Sequence, residues 1–312
     1  MQIKKPKFWD LSKPNFLAYL LSPISKIVEL FSMFKIENKK KYTNIKTICI
    51  GNIYIGGTGK TSLAIKIFKI LIKRKIRVCF IKKYYSNQID EIKLLENYGK
   101  VFSGNSRDSC IKNAIKENYE VAIFDDGLQD KKVDYDYKIL CFNNINWVGN
   151  GLVIPAGPLR ENLNKIKKYD FIFLNGNLEN AENIKKDIIK INSKSQIFDG
   201  VYIPINLEEF DLSNNYLAFS GIGNHQTFIS MLKKNNFNII KDIEFPDHYN
   251  YKEIELDKII SLSNKLNCKI ITTEKDFARI KSQNKNKFKV IKSELNIQDE
   301  DNFINAIFPL NE

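Results

Sequence analysis

A glycine-rich stretch between an apolar run and a helical pattern is the segment of this sequence best suited to bind phosphate. The apolar run covers 47–52, the helical pattern covers 61–74, and the residues that join them read Tyr-Ile-Gly-Gly-Thr-Gly-Lys-Thr. Phosphate-binding loops follow the pattern Gly, four residues, Gly-Lys-Ser/Thr, and only the first glycine is replaced here, by Tyr54. Glycines let backbone N–H groups point at oxygens, and the helix N-terminus adds its positive dipole end. We therefore predict that the whole loop binds a nucleoside triphosphate: Tyr54, Ile55, Gly56, Gly57, Thr58, Gly59, Lys60 and Thr61.

Two acidic residues that follow a second apolar run can complete such a site. Asp125 and Asp126 come directly after the run 121–124. In phosphate-loop enzymes, an acidic residue at the carboxyl end of a neighbouring strand binds magnesium. We predict that Lys60 contacts the β- and γ-phosphates and that Thr61, Asp125 and Asp126 form the metal site. One carboxylate would bind the ion, whereas the other could bind it too or orient water or the nucleophile.

The elements that must position these residues alternate between strand-like runs and helical patterns. The predicted strands are 47–52, 77–81, 120–124, 138–142, 171–175, 217–220, 269–272 and 288–291. The predicted helices are 61–74, 106–118, 180–190, 225–235 and 252–266. Such alternation predicts an α/β fold like that of P-loop NTPases, with a mostly parallel sheet and helices on both faces. Because the pattern loosens at 197–215, we place a linker there. We predict a P-loop kinase domain over 47–200 and a smaller α/β domain over 201–312, across a hinge.

The remaining segment, 1–46, is basic and contains an amphipathic helical pattern. It holds ten lysines against three acidic residues. Apolar residues cover most of the helical surface of 16–34, beside one narrow polar stripe: Ser22, Ser25, Lys26, Glu29 and Ser32. A broad apolar face beside lysines suits a helix lying in a membrane interface, although a helix packed on the domain core would show it too. Ser22 and Pro23 could cap a second helix or kink a single one.

Composition narrows the class of protein further. The 312 residues carry a net charge of +13, which favours nucleic acid, an anionic membrane or phosphorylated substrates as partners. No stretch reaches the roughly 18 apolar residues of a membrane span, and a signal peptide fits poorly, so we expect a cytoplasmic protein. The five cysteines form no Cys-x-x-Cys pair and are expected to be reduced thiols in the core. Chemistry that needs histidine must use His225, which we expect to be structural, or His248.

The class of nucleotide can be narrowed from one further segment. A GTPase should carry Asn/Thr-Lys-x-Asp, but Lys and Asp are adjacent in Thr273–Asp276, so we discount GTP. A motor or transport ATPase is compatible with the loop. A small-molecule kinase is more natural, because the second domain can present an acceptor.

Six segments, in order along the chain, resemble the motifs of one family of kinases. They are Gly51–Thr61, Asp125–Gln129, Gly149–Gly151 with Pro155–Glu161, Gly221–Gly223, Phe245–His248 and Thr273–Asp276. In these segments the sequence resembles the tetraacyldisaccharide 4'-kinase, or lipid A 4'-kinase, family.

The resemblance implies a reaction and a location. The γ-phosphate of ATP would be transferred to the 4'-hydroxyl of tetraacyldisaccharide 1-phosphate, giving lipid IVA in lipid A biosynthesis. ATP and Mg²⁺ would be the cofactors, and the acylated disaccharide phosphate and the anionic inner-membrane surface the partners. The resemblance also implies a protein peripheral to the cytoplasmic face of the inner membrane, with two α/β domains and the active site in a cleft. We expect a monomer that binds no nucleic acid.

The resemblance also assigns roles to single residues. Asp90 would be the catalytic base, paired with His248 from the other domain. From the residues themselves we predict three substrate contacts, Gln129, Arg160 and Glu161. Gln129 could orient either substrate or nucleotide, and Arg160 could bind a phosphate through two N–H groups.

This chain departs from the family pattern around the base. The usual Ser-Arg-Gly-Tyr-Gly is Lys-Lys-Tyr-Tyr-Ser at 82–86. Only Asp90-Glu91 is left of Gly-Asp-Glu-Pro, so the base could also be Glu91.

Two other classes of function stay open from the sequence. A regulatory nucleotide-binding module on a membrane would keep Lys60 and the magnesium acid without needing Asp90 and His248. An ATPase that acts on nucleic acid would draw on the net charge of +13. We disfavour the ATPase because much of that charge lies in the apolar N-terminal segment and no aromatic and basic groove pattern is found.

Overall fold

Strands and helices alternate along most of the chain in the computed structural model, which describes residues 5–33, 39–85 and 89–309. The helices are α1 Phe16–Met33, α2 Lys60–Lys73, α3 Ile89–Glu96, α4 Arg107–Lys116, α5 Ala181–Ile191, α6 His225–Lys234, α7 Glu253–Lys265, α8 Glu274–Arg279 and α9 Glu300–Ile307. The strands are β1 Lys46–Gly51, β2 Val78–Lys83, β3 Val101–Gly104, β4 Val121–Asp125, β5 Tyr137–Asn143, β6 Phe171–Gly176, β7 Gln196–Pro204, β8 Asn215–Ser220, β9 Asn238–Glu244, β10 Lys269–Thr273, β11 Phe288–Ile291 and β12 Ser293–Ile297. The mostly parallel α/β fold predicted from the sequence is confirmed.

The chain divides into a larger and a smaller unit. The larger unit comprises Lys5–Asn175, Asn180–Gly200 and the residues from Ile297 onward, and the smaller comprises Gly176–Glu179 and Val201–Asn296.

Most strands of an eight-stranded sheet, whose order is β12-β7-β6-β5-β1-β4-β2-β3, lie in the larger unit. Strand β1 lies between β4 and β5, parallel to both, and Ile50 is in register with Asp125. Strands β1, β2 and β4 are buried almost throughout, as expected for parallel strands that helices cover on both faces. Because β1 and β4 end side by side, the phosphate loop and the paired carboxylates emerge at the same edge.

The smaller unit has its own four-stranded parallel sheet, in the order β11-β10-β8-β9. Alternate residues of β8 belong to two separate apolar clusters, Tyr216 and Ala218 to one and Leu217 and Phe219 to the other. The first cluster includes residues of α6 and the second residues of α7, so one helix covers each face.

Two boundary predictions are wrong. Residues placed in a linker at 197–215 include most of β7, whose Phe198 is buried beneath the ring of Phe303. The predicted domain 201–312 is too long at its C-terminal end. The reason is that α9 packs in the larger unit, where Phe303 contacts Phe173 of β6 as well as Phe198.

The N-terminal amphipathic helix is present as a single helix, α1, which continues through Pro23. It buries Ala18 and the polar Ser25 and exposes most of its large apolar side chains. Among the described residues, no helix is both long and apolar enough to span a membrane. Residues 34–38, which the predicted helical segment also reaches, lie outside the described part of the chain.

Candidate active site

The phosphate loop is held by side chains of the larger unit rather than by its glycines alone. Gly59 precedes α2 with φ 77°, a left-handed conformation that favours glycine. Asn52 donates to the carbonyl oxygen of Tyr54 at 2.7 Å and to the Thr58 hydroxyl at 2.9 Å. Asn175, at the end of β6, donates to the Thr58 carbonyl oxygen at 2.7 Å. The loop is therefore fixed with its backbone N–H groups ahead of α2.

Tyr54, which replaces the first glycine of the pattern, sends its side chain into the protein. It packs with Val153 and Leu159 in a small apolar cluster and is 1% exposed. Its hydroxyl donates to Asp10 at 2.9 Å, and the ammonium of Lys5 lies 4.6 Å from the centre of its ring. The predicted contact of Tyr54 with the nucleotide can therefore involve only its backbone.

Asp125 lies at the end of β4 and faces the first turn of α2. The Thr61 hydroxyl donates to its Oδ2 at 2.9 Å, and the Lys82 ammonium lies 2.7 Å from the same oxygen. The other oxygen, Oδ1, is buried and has no hydrogen-bond partner among the described residues. A buried carboxylate oxygen without a donor is costly, which points to a ligand at this place.

Asp126 is placed differently, although it is the next residue. Its carboxylate lies 3.8 Å from the Lys60 ammonium and 3.2 Å from Nη1 of Arg160. Burial by itself would raise the pKa of Asp126, but the positive charges of Lys60 and Arg160 outweigh it, so the pKa is lowered. The backbone of Asp126 has φ 68°, and Arg107 donates to its carbonyl oxygen. Asp126 is thus held ionised in a conformation that non-glycine residues rarely adopt.

The oxygen atoms at this edge fit magnesium. Mg²⁺ commonly takes one or two protein carboxylates and completes its six ligands with water and substrate phosphates. Over the described ranges, no group of three or more His, Cys, Asp or Glu could hold a metal by itself. Thr61 and Asp125 could hold an ion that nucleotide phosphates also bind, with Oδ1 of Asp125 available to the ion or to a bound water.

The two acidic residues considered as the base occupy the first turn of α3. The side chain of Glu91 lies 2.7 Å from the Lys82 ammonium, whereas Asp90 is exposed. Burial by itself would lower the pKa of Lys82, but Asp125 and Glu91 raise it well above its ordinary value. Residues 86–88, which include the serine at the end of the altered Lys-Lys-Tyr-Tyr-Ser segment, lie outside the described residues.

His248 is fixed by a network in the smaller unit. Its backbone has φ 58°, its N–H donates to the Gly221 carbonyl oxygen at 3.1 Å, and its Nδ1 lies 3.2 Å from Nη2 of Arg279. Arg279 also donates to the Gly221 carbonyl oxygen, while the fully buried Asp276 accepts from the Gly221 N–H and from the Tyr251 hydroxyl. Three of the segments singled out in the sequence therefore meet at Gly221. Because Asp90 belongs to the larger unit and His248 to the smaller, their pairing stays a prediction.

The residues expected to contact the substrate differ in their surroundings. Gln129 donates to the Asn52 carbonyl oxygen at 2.8 Å, which ties it to the phosphate loop. The Arg160 N–H donates to the Ile53 carbonyl oxygen, and its guanidinium contacts Asp126. Glu161 follows it and is half-buried.

Sequence reasoning missed two cations of the site, Lys82 and Arg107. Lys82 is the first of two lysines that follow the apolar residues of β2, and a lysine directly after such a run is a signal that was available. Arg107 gives no comparable signal, because its contacts with Asp126 and Asp130 depend on the folded chain. His225 is buried between Ser220 and Asp242 at the start of α6, in agreement with its expected structural role.

Comparison with known proteins points to one family. A sequence model described as tetraacyldisaccharide-1-P 4'-kinase matches residues 17–310. The tetraacyldisaccharide 4'-kinase of Pelagibacter ubique is 56% identical over 314 residues, covering 100% of this chain and 99% of that protein. The enzyme of the same name from Rickettsia canadensis is 33% identical over 300 residues, covering 90% of each chain. The crystal structure of an LpxK from Aquifex aeolicus in complex with ATP superposes with a TM-score of 0.66 at 22% identity, covering 94% of this chain and 100% of that one, which shows a shared fold.

Proposed function

The chain belongs to the tetraacyldisaccharide-1-P 4'-kinase family, and we propose that it phosphorylates the 4'-hydroxyl of tetraacyldisaccharide 1-phosphate to form lipid IVA. The observation that carries the proposal is the contact between Thr61 at the start of α2 and Asp125 at the end of β4. The contact brings together the two residue types that bind magnesium in phosphate-loop enzymes, in a chain 56% identical to a relative named tetraacyldisaccharide 4'-kinase.

In the proposed reaction, the acceptor oxygen forms a bond to the γ-phosphorus of ATP as the bond to the β–γ bridging oxygen breaks. Lys60 and the loop N–H groups bind the β- and γ-phosphates, and Arg160 stands beside Asp126 at the same edge. Mg²⁺ would neutralise charge on the phosphates. Phosphoryl transfer depends mainly on positioning and on charge neutralisation, and these residues supply both.

Asp125 is the proposed direct metal ligand, because it contacts Thr61 and has an unpartnered buried oxygen. Asp126 is paired with Lys60 and Arg160, so we assign it to their orientation. Asp125→Asn should therefore raise the magnesium concentration needed for half-maximal transfer, and Asp126→Asn should raise it less. An equal rise in both variants would contradict the division of roles.

Asp90 is the proposed base for the proton of the acceptor hydroxyl, assisted by His248. The exposure of Asp90 supports its access to an acceptor hydroxyl. A positioned acid–base group contributes about 10²–10⁴-fold, so Asp90→Ala and His248→Ala should each lower kcat by about that factor. The double variant should be hardly slower than either single one, since residues that act as a unit are non-additive. Normal activity of His248→Ala would discard the pair.

Gln129, Arg160 and Glu161 are the proposed substrate contacts. The hydrogen bond of Gln129 to Asn52 supports a position beside the nucleotide, and an arginine can bind a phosphate through two N–H groups.

We propose a peripheral location on the cytoplasmic face of the inner membrane, and the exposed apolar face of α1 supports attachment to a membrane surface. Phe16 is 80% exposed and Phe31 70%, and lysines are frequent in the same segment. Apolar side chains would enter the interface, and lysines would be attracted to anionic lipids. We propose that the protein acts there as a monomer, with the acylated disaccharide as its partner.

The test is transfer of label from γ-labelled ATP to the acylated disaccharide 1-phosphate in detergent micelles, with thin-layer separation of the lipid products. We expect a labelled lipid that requires acceptor, ATP and Mg²⁺. ATP binding without labelled lipid would favour a regulatory module, and hydrolysis stimulated by DNA or RNA would favour an ATPase that acts on nucleic acid.

A further inference from the structure

Lys82 is a buried lysine at the active-site end of an apolar strand. The preceding residues of β2 are all buried, and Lys82 itself is 3% exposed. Taking an ammonium group out of water is expensive unless opposite charges compensate it. A buried lysine at this place therefore needs an explanation that strand packing does not give.

The compensating charges come from two different elements. The ammonium lies 2.7 Å from Oδ2 of Asp125, at the end of β4, and 2.7 Å from Oε2 of Glu91, in the first turn of α3. Oδ2 of Asp125 also accepts from Thr61. Lys82 is thus the link between the proposed metal ligand and the turn of helix that carries Asp90.

The link is needed because the two carboxylates would otherwise repel each other. The side chain of Asp125 is fully buried and that of Glu91 is 23% exposed, so water screens their charges poorly. One ammonium between them converts repulsion into attraction on both sides. Farther along α3, Ile92 and Leu95 are buried, so the helix has an apolar anchor, but that anchor does not fix its first turn against Asp125.

We propose that Lys82 is a positioning residue, which holds the first turn of α3 beside Asp125 and thereby sets the distance between the base Asp90 and the nucleotide site. The inference rests on the proposed function for the role of Asp90. It also gives a role to Lys82, the first residue of the segment that departs from the family pattern. Lys82 does not touch the transferred phosphoryl group in this proposal and acts through its two carboxylate partners.

The experiment compares four full-length variants with the wild type. Lys82→Met keeps the length of the side chain and removes its charge, and Lys82→Arg keeps the charge. Glu91→Gln retains one acceptor oxygen for Lys82. Lys83→Met is the matched control, because Lys83 is the next residue and lies over the ring of Tyr85. Two readouts are used: kcat and the ATP KM for lipid phosphorylation, and hydrogen exchange of the backbone amides of α2 and α3.

We expect Lys82→Met to lower kcat by about 10–100-fold with the ATP KM within about threefold, since the phosphate loop is untouched. Amides of α3 should exchange at least about tenfold faster, while those of α2 keep their wild-type rates. Lys82→Arg should recover part of both effects, Glu91→Gln should show weaker effects of the same kind, and Lys83→Met should match the wild type.

Wild-type kcat and wild-type exchange in Lys82→Met would overturn the proposal. Equal acceleration in α2 and α3 would overturn it as well, because that result means a general loss of stability. If Lys82→Met does not fold, Glu91→Gln decides, and unchanged kcat and α3 exchange in that variant overturn the proposal. Absence of lipid phosphorylation by the wild type would instead reject the proposed function, and the exchange measurements would still test the link between Lys82 and α3.

Discussion

Helix α2 buries six apolar side chains against the larger sheet, whereas helix α1 leaves nine large apolar side chains exposed between Phe16 and Phe31. Both helices are amphipathic, and each has an apolar face broad enough to cover a sheet. Up to Phe31, where the side chains of α1 are described, the buried residues are the small Ala18 and the polar Ser25. An apolar face therefore identifies a helix without saying what covers that face.

The role of each helix depends on the chain segment that it adjoins. Helix α2 begins at Lys60 directly after the phosphate loop, so its buried face fixes the position of the nucleotide site. Helix α1 lies in a segment with ten lysines, and its polar side is attached by Ser25 to the turn at 153–156. Helix α2 is positioned by the core, while helix α1 is attached by hydrogen bonds and keeps its apolar face exposed.

The largest effect is expected at the N-terminus of α2. Lys60→Ala removes the positive charge on the β- and γ-phosphates and should lower lipid phosphorylation by about 10³-fold or more, the range known for the loss of one charge at a transferred phosphoryl group. The measurement is kcat/KM for ATP, with circular dichroism to show that the variant is folded. Lys73→Ala, at the exposed C-terminal end of the same helix, is the control and should be near wild type. Activity of Lys60→Ala within a few-fold of wild type would remove the phosphate-loop assignment.

The second prediction compares one phenylalanine from each helix. Phe68 of α2 is buried and stacks on Phe80, with 4.5 Å between the centres of the two rings, whereas Phe31 of α1 is 70% exposed. Phe68→Ala should lower the free energy of unfolding by about 3–5 kcal/mol. Phe31→Ala should change it by less than about 0.5 kcal/mol. Urea unfolding followed by circular dichroism measures both. A similar loss in the two variants would mean that the outer face of α1 is covered in solution.

The third prediction concerns what covers that outer face. Serine in place of Phe16, Leu20 and Phe31 together should weaken binding to anionic vesicles at least about tenfold, since burying one such side chain is worth about 1.5–3 kcal/mol. Sedimentation with vesicles is the measurement, and binding of the wild type should also weaken with added salt. Neutral vesicles are the control for the contribution of the lysines, because these vesicles carry no negative charge to attract them. Equal binding of the triple variant would reject an interfacial role for α1.

The parts of the site that sequence reasoning found are those formed by contiguous residues. The loop 54–61 and the acids at 125–126 follow apolar runs directly, so each could be placed at the end of a strand before the fold was known. The smaller unit's strands β8 and β10 were found for the same reason. Strand β9 was missed because most of its residues are exposed and give no apolar run.

The contacts that sequence reasoning missed join residues far apart in the chain. Lys82 and Asp125 meet because β2 and β4 are neighbours in the sheet, which the order of strands along the chain does not show. The position of Arg279 beside His248 likewise depends on how α8 follows β10 in the smaller sheet. The side of α1 that packs on the protein could not be predicted either, because helical periodicity does not distinguish one buried serine from an exposed one.

The smallest effect is expected from the attachment of α1, and it tests whether hydrogen bonds rather than apolar packing hold this helix. The Ser25 hydroxyl donates to the Val153 carbonyl oxygen at 2.7 Å and accepts from the Ala156 N–H at 3.0 Å. Ser25→Ala leaves both backbone groups without this partner, which costs about 1–3 kcal/mol, and the better helix propensity of alanine offsets about 0.5 kcal/mol of that. Urea unfolding should therefore show a net loss of about 1–2 kcal/mol. Ser22→Ala is the matched control, since the Ser22 hydroxyl donates to the carbonyl oxygen of Tyr19 within α1. The stability of this variant should stay within about 0.5 kcal/mol of wild type. Vesicle binding should be unchanged in both, because neither variant alters the apolar face. If Ser25→Ala were as stable as Ser22→Ala, the hydrogen bonds would not be what holds α1, and the contrast with α2 would have to rest on the exposed apolar face alone.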